Sequence, residues 1–334
     1  MGSRTRESNL DAAGRFSLHG KRVLVTGGAG FLGSAVCARL RQCDLAELIV
    51  PRRAEYDLTD AEVVRALFEQ THPEVVLNLA AEVGGIGANL ASPGRFFYAN
   101  MAIALHLIEQ ARRSQVEKFV QLGTVCSYPK FAPVPFSETN LWDGYPEDTN
   151  APYGIAKKAS LVMLEAYREQ YDFRGVFLMP TNLYGPRDNF DEDSSHVIPA
   201  LIRKCEVARL TDSPTITCWG TGSASREFLY VDDCAEAIVA ATEMYDSPEP
   251  VNIAGADGEI TIRALAELIA DITGFTGEIR WDSSKPDGQP RRAIDGTRAC
   301  ESFAFEPRTC FKEGLRRTVE WFRGQVASEE LLAI

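Results

Sequence analysis

The stretch KRVLVTGGAGFLGSAVCARLRQ, residues 21–42, runs from an apolar, β-branched segment through a cluster of glycines into an apolar pattern of helical period. The order is strand, turn, helix. Gly27, Gly30 and Gly33 fall between the two elements, where glycine lets the backbone turn tightly and come close to a ligand. A helix opening on such a turn presents unpaired N–H groups, which suit a phosphate. The segment predicts a dinucleotide cradle, with Phe31 and Leu32 in the same turn as the three glycines.

Working outward, ELIV (47–50), EVVLNLA (74–80), KFVQLG (118–123) and GVFLMP (175–180) repeat the strand signal. Helical patterns at 60–70, 94–113 and 152–171 separate them. Such alternation predicts an α/β fold, a Rossmann-type doubly wound parallel sheet occupying residues 20–185 as a dinucleotide-binding domain. From 186 the elements shorten between Pro, Gly and Asp. A helix over 196–209, strands over 215–219 and 226–230, and helices over 231–245, 261–273 and 311–324 predict a smaller, mainly substrate-binding lobe, 186–334. Residues 1–19 are polar, lack the apolar stretch of a secretory signal, and read as a flexible tail.

A length of 334 residues suits two such units. With 45% hydrophobic and 25% charged residues the chain is expected to fold. The excess of 47 acidic over 35 basic side chains, with no basic block, argues against nucleic acid as a partner. No apolar run is long enough to span a bilayer, so no membrane partner is expected. The eight cysteines show no CxxC pair or metal-like spacing. They read as reduced thiols of a cytoplasmic protein, without a metal site.

After the second strand comes VPRRAEYDL (50–58), in which Arg52 and Arg53 occupy the place where an acidic residue would bind the ribose 2′-hydroxyl of NAD. Guanidinium groups suit a 2′-phosphate, so the expected cofactor is NADP(H), with NAD as the alternative. Asp57 and Leu58 follow near the adenine edge. Further on, PYGIAKKAS (152–160) sets Tyr153 and Lys157 four apart on one helix face. A cation there is expected to lower the phenol's pKa and suit it for proton transfer to a carbonyl oxygen. Thr124, after the fourth strand, offers a hydroxyl to the same oxygen.

The TGxxGxxG turn, the hydroxyl at 124 and Tyr-xxx-Lys together resemble the extended short-chain dehydrogenase/reductases, over about residues 20–325. Within them, six blocks are similar to the GDP-L-fucose synthase family, the GDP-4-keto-6-deoxy-mannose 3,5-epimerase/4-reductases. These are AAEVGGIGAN (80–89), CSYP (126–129), PTNLYGPRDNF (180–190), SSHVIPALIRK (194–204), WGTGSASREFLYVDD (219–233) and SKPDGQPRR (284–292). The redox-neutral GDP-mannose 3,5-epimerases, which retain NAD, are the nearest alternative, followed by a reductase or epimerase of a related deoxy- or heptose nucleotide sugar and, last, a non-catalytic dinucleotide-binding protein. The resemblance implies a GDP-linked nucleotide-sugar substrate. It assigns proton removal and return at C3 and C5 to Cys126 and His196, with Cys126 as base, and the C4 oxygen to Thr124 and Tyr153. Lys157, Ala80, Ala81, Pro180, Asn182 and Leu183 would line the cofactor. Lys204 and Arg226 would take the substrate diphosphate, Trp219 and Val197 would shape the nucleotide pocket, and Lys285 would reach nucleotide or sugar. It also implies a homodimer paired through the helices at 94–113 and 152–171. Three positions depart from the family pattern: Thr124 where serine is usual, Lys204 where arginine is usual, and Ala29 where an arginine for the NADP phosphate can stand.

Overall fold

The computed structural model describes residues 15–192 and 194–325. The chain begins β1 (Arg22–Thr26), α1 (Phe31–Leu40), β2 (Glu47–Ile49), α2 (Ala61–Thr71), β3 (Val75–Asn78), α3 (Ile86–Ala91), α4 (Pro93–Arg113) and β4 (Lys118–Leu122). It continues α5 (Ala151–Tyr171), β5 (Gly175–Pro180), β6 (Asn182–Tyr184), α6 (Val197–Leu210), β7 (Thr215–Trp219), β8 (Ser225–Tyr230) and α7 (Val231–Met244). The rest is β9 (Val251–Ile253), β10 (Glu259–Thr261), α8 (Ile262–Thr273), β11 (Glu278–Asp282), β12 (Arg291–Arg292), α9 (Thr297–Phe303) and α10 (Phe311–Gln325).

Six strands form one sheet in the order β2-β1-β3-β4-β5-β9, every pair parallel. β3 and β5 are buried along their whole length, as strands covered on both faces must be. On one face Val36 and Leu40 of α1 pack with Ile238 of α7 and Phe303 of α9. On the other, Leu67 of α2, Leu107 of α4 and Leu161 of α5 share a second core. A third core, with Ile202 of α6, Leu265 of α8 and Leu315 of α10, holds the lobe together. After β1 the chain passes to β2 on one side and then to β3 on the other. The crevice at that switch point is where such sheets bind ligands.

Two sequence expectations need correction. The boundary at 185 does not hold, because α7, β9 and α9 return to the first sheet: β9 is buried throughout, and α7 lays Cys234, Ala237 and Ala241 into the same core as α1. Those small side chains let two helices approach closely, a pairing that chain order alone does not reveal. The expected tail lies outside the described residues as far as 14. From Phe16 onward the chain is already packed, since Phe16 and Leu18 are buried and the Phe16 N–H donates to the Glu243 carbonyl at 3.0 Å.

Candidate active site

A cavity of about 980 Å³ opens at the carboxyl ends of β1, β3, β4 and β5, between the sheet and the lobe. All the residues singled out from the sequence line it except Lys285, which stands outside with its ammonium 5.3 Å from the centre of the Trp219 ring. On the sheet side, Gly27 has φ 70° and is pressed against β3's exit, where a β-carbon would lie 2.9 Å from the Ala80 nitrogen. A β-carbon on Gly33 would lie 2.0 Å from the Gly27 carbonyl oxygen. Gly30 caps α1 with no side chain, and the helix has no acidic residue in its first turn. Its N–H groups are therefore left for an anion, and this turn fits a dinucleotide pyrophosphate.

At the ribose end the two arginines differ. Arg53 donates to Glu82 at 2.5 Å, and Arg95 holds the same carboxylate at 2.8 and 3.1 Å. Arg52 is exposed and forms no ion pair among the described residues, which leaves it for a phosphate. Asp57 is turned to Thr59, whose hydroxyl and N–H donate to it and hold its carboxyl below the usual range. Leu58 packs partly buried against the second core.

Deeper in, Thr124 caps the 3-10 turn Val125–Ser127, its hydroxyl oxygen accepting from the Cys126 N–H at 3.2 Å. The Ser127 hydroxyl donates to the Gly154 carbonyl at 2.9 Å, locking this turn onto the first turn of α5. That contact brings Thr124, Cys126 and Tyr153 together. The Tyr153 phenol is pushed well above its ordinary value, first by burial and then by Cys126, with only a hydrogen bond from Thr124 opposing. The expected lowering by Lys157 does not occur. Lys157 donates to the Leu122 carbonyl at 3.1 Å, and burial brings its own ammonium down to about 8. Spacing of four residues puts both on one face, but desolvation dominates there.

The lobe supplies the opposite wall. His196 begins α6 without capping it, and enclosure, followed by the charge of Arg292, lowers its pKa. Val197 follows on the same turn, and Lys204 donates to the Thr217 carbonyl at 2.7 Å. Half of Trp219 is exposed. Arg226 is buried, held by the carbonyls of Ser225 and Asp287, and brought to about 9 by burial and by Arg292. Sequence reasoning did not single out Arg292, Gln289 or Asp188, all buried and all on the cavity wall. Asp188 follows Arg187, whose backbone is left-handed at φ 71°, and its Oδ2 has no hydrogen-bond partner among the described residues. Burial raises this carboxyl to about 7. In a chain of net charge −12, the cavity thus gathers Arg52, Lys157, Lys204, Arg226 and Arg292, a setting for anionic ligands.

Residues 23–254 match the NAD dependent epimerase/dehydratase family. The chain is 43% identical over 310 residues to probable GDP-L-fucose synthase 1 of Oryza sativa subsp. japonica, covering 92% of this chain and 94% of the relative. Among solved structures, the GDP-L-fucose synthetase from Naegleria fowleri bound to NADP superposes with a TM-score of 0.84 at 28% identity, covering 93% of this chain and 97% of that one. A GDP-6-OMe-4-keto-L-xylo-heptose reductase from C. jejuni gives a TM-score of 0.87 at 26% identity, covering 94% and 100%.

Proposed function

The chain belongs to the NAD dependent epimerase/dehydratase family, and from that premise we propose that it is an NADPH-dependent 3,5-epimerase/4-reductase of a GDP-4-keto-6-deoxy sugar. The observation that carries the reading is the meeting of a thiol, two hydroxyls and a dinucleotide cradle in one cavity, with an imidazole on the facing lobe. When bound, NADPH supplies the hydride that reduces C4. The turn of Gly27, Gly30 and Gly33 would hold its pyrophosphate and Arg52 its 2′-phosphate.

Thr124 and Tyr153 both line the cavity and their side chains hydrogen-bond to each other, so both hydroxyls would serve a C4 carbonyl oxygen placed beside them. Hydrogen bonds to that oxygen acidify the C–H groups at C3 and C5 and stabilise the enolate formed when either proton leaves. Cys126 takes those protons and His196, from the other lobe, returns them on the opposite face. Tyr153 gives its proton to the oxygen during reduction. The high phenol pKa keeps that proton in place until it is needed. Arg226 and Lys204 bind the diphosphate.

The chain acts as a homodimer in this reading: Phe97, Tyr98 and Leu105 of α4 and Val162 and Tyr171 of α5 are exposed apolar groups on the two helices that would pair. The eight cysteines are all free, which suits a cytoplasmic protein. Among the described residues, no helix is long and apolar enough to cross a membrane.

The test supplies GDP-4-keto-6-deoxy-mannose and NADPH in deuterated buffer. Cofactor oxidation together with deuterium at C3 and C5 is expected, and Cys126→Ser should suppress exchange far more than reduction of a pre-epimerised ketone. Deuterium uptake without oxidation would leave a redox-neutral epimerase. Neither signal would reject the substrate class.

A further inference from the structure

β12 is two residues long, and its side chains part company. Arg291 is exposed and pairs with Glu259, whereas Arg292 is buried and faces the cavity. The Arg292 Nη1 lies 3.5 Å from the Cys126 sulfur and 3.4 Å from Asn182 Oδ1, and its Nε donates to Gln289 Oε1 at 3.1 Å. Gln289 is itself buried, and its amide donates to the carbonyls of Pro129 at 3.2 Å and Lys130 at 3.1 Å. These carbonyls lie two and three residues past the turn that carries Cys126. One guanidinium therefore ties together the cysteine turn, β6 and the loop before β12.

The charge balance is as telling as the geometry. Arg292 stands opposite Arg226 in the β8–β12 register, and neither forms an ion pair with a carboxylate among the described residues. Two buried guanidinium groups side by side are costly unless an anion joins them. The anion for Arg226 would be the substrate diphosphate, and the group within reach of Arg292 is the Cys126 sulfur, 3.5 Å away.

We propose that Arg292 is the positioning residue of the proton-transfer step: it fixes the Cys126 sulfur and balances the negative charge the sulfur carries once deprotonated, and it takes no part in hydride delivery. This rests on the epimerase/reductase reading. In the step, sulfur takes the proton, the C–H electron pair becomes the enolate double bond, and the negative charge moves to the C4 oxygen. Reprotonation from the opposite face by the imidazolium of His196 re-forms the C–H bond inverted, with no net oxidation, and the thiol then loses a proton to water and the imidazole gains one, which resets both for the second centre. Among the described residues, Tyr153 of α5, Arg226 of β8 and Arg292 are the charged or titratable groups around the sulfur, and His196, just before α6, faces Arg292.

The test compares wild type, Arg292→Gln and Arg292→Lys in the full chain. Alkylation of Cys126 by iodoacetamide is followed at several pH values by peptide-resolved mass spectrometry. Deuterium exchange at C3 and C5 and reduction of the pre-epimerised ketone are measured beside it. Loss of a charge-assisted contact should slow Cys126 alkylation and exchange by about ten- to a hundredfold in Arg292→Gln, a larger loss than that in reduction. Arg292→Lys, which keeps the charge and loses the fork, should restore most of the alkylation rate and part of the exchange. Unchanged alkylation in folded Arg292→Gln would overturn the proposal, as would exchange and reduction falling in equal proportion. Should Arg292→Gln not fold, Arg292→Lys decides by the same proportion. If wild type exchanges no deuterium the epimerase reading fails, while alkylation, which needs no substrate, still tests the coupling of Arg292 to Cys126.

Discussion

Gly154 of α5 packs so tightly on Cys126 that a β-carbon added to it would stand 2.4 Å from the cysteine's carbonyl oxygen. The obstacle is backbone, which cannot swing aside as a side chain can. This contact sets the separation between the turn carrying the thiol and the helix carrying the phenol. Gly154→Ala is expected to destabilise the protein by about 1–3 kcal/mol, read by thermal denaturation, and to lower exchange and reduction together, because in the proposed reaction both depend on Thr124 and Tyr153 meeting at one oxygen.

Arg52 and Arg53 are adjacent but should not be equivalent. Arg53 is already committed to Glu82, so only Arg52 brings an uncommitted guanidinium to a 2′-phosphate. Arg52→Gln should weaken NADPH binding by roughly tenfold or more, the scale of one charge-assisted contact, and leave NADH nearly unaffected. Arg53→Gln should do less. Fluorescence titration of both cofactors against each variant gives the ratio, and equal losses in the two variants would count against this division.

The Lys157 ammonium, lowered to about 8 by burial, loses its charge as pH rises through that value. Since Lys157 would line the cofactor, reduction of a pre-epimerised ketone should be level at lower pH and decline through about pH 8, and Lys157→Met should be slower by about a hundredfold and lack that limb. Linkage gives the sign for stability. The folded pKa lies below the unfolded value of about 10.4, so the buried charge costs stability fully below pH 8. That cost fades as pH rises from about 8 to about 10.4, because the folded chain releases its proton first. The urea midpoint of wild type should accordingly gain on that of Lys157→Met across this window.

His196 should titrate below its ordinary 6.5, since enclosure and the Arg292 charge both disfavour the imidazolium. A ring-selective NMR titration measures the midpoint directly. Arg292→Gln is expected to raise it, because one of the two causes is removed while enclosure stays. A midpoint unmoved by that change would mean that Arg292 does not act on the imidazole.

The main sheet was legible in the sequence because parallel strands covered on both faces read as continuous apolar runs, as VLVT of β1 and GVFLMP of β5 do. Of the elements that escaped reading, β6, β9, β10 and β12 are two or three residues long, and α3, β11 and α9 no longer than seven, too short for a period to show clearly. The site divides the same way. Gly27, Gly30, Gly33, Tyr153 and Lys157 announce themselves through spacing within one element. Arg292 reaches Cys126 across 166 residues of chain, by way of a register with β8 that no local pattern encodes. Asp188 enters the cavity through the left-handed turn at Arg187, an uncommon conformation for a residue with a side chain. The tyrosine's electrostatics were misjudged because residue spacing conveys direction and says nothing of solvent.

The return of β9 to the sheet after β8 has a bearing on how this protein can be re-engineered. A fragment ending at 185 would leave β5 with a bare hydrogen-bonding edge and strip α7 from α1, an invitation to edge-to-edge association. Substrate preference could not be transplanted from a relative as one contiguous cassette. It would have to be grafted as separate insertions on either side of 231–253, with that segment kept native so that the cofactor half retains its last strand.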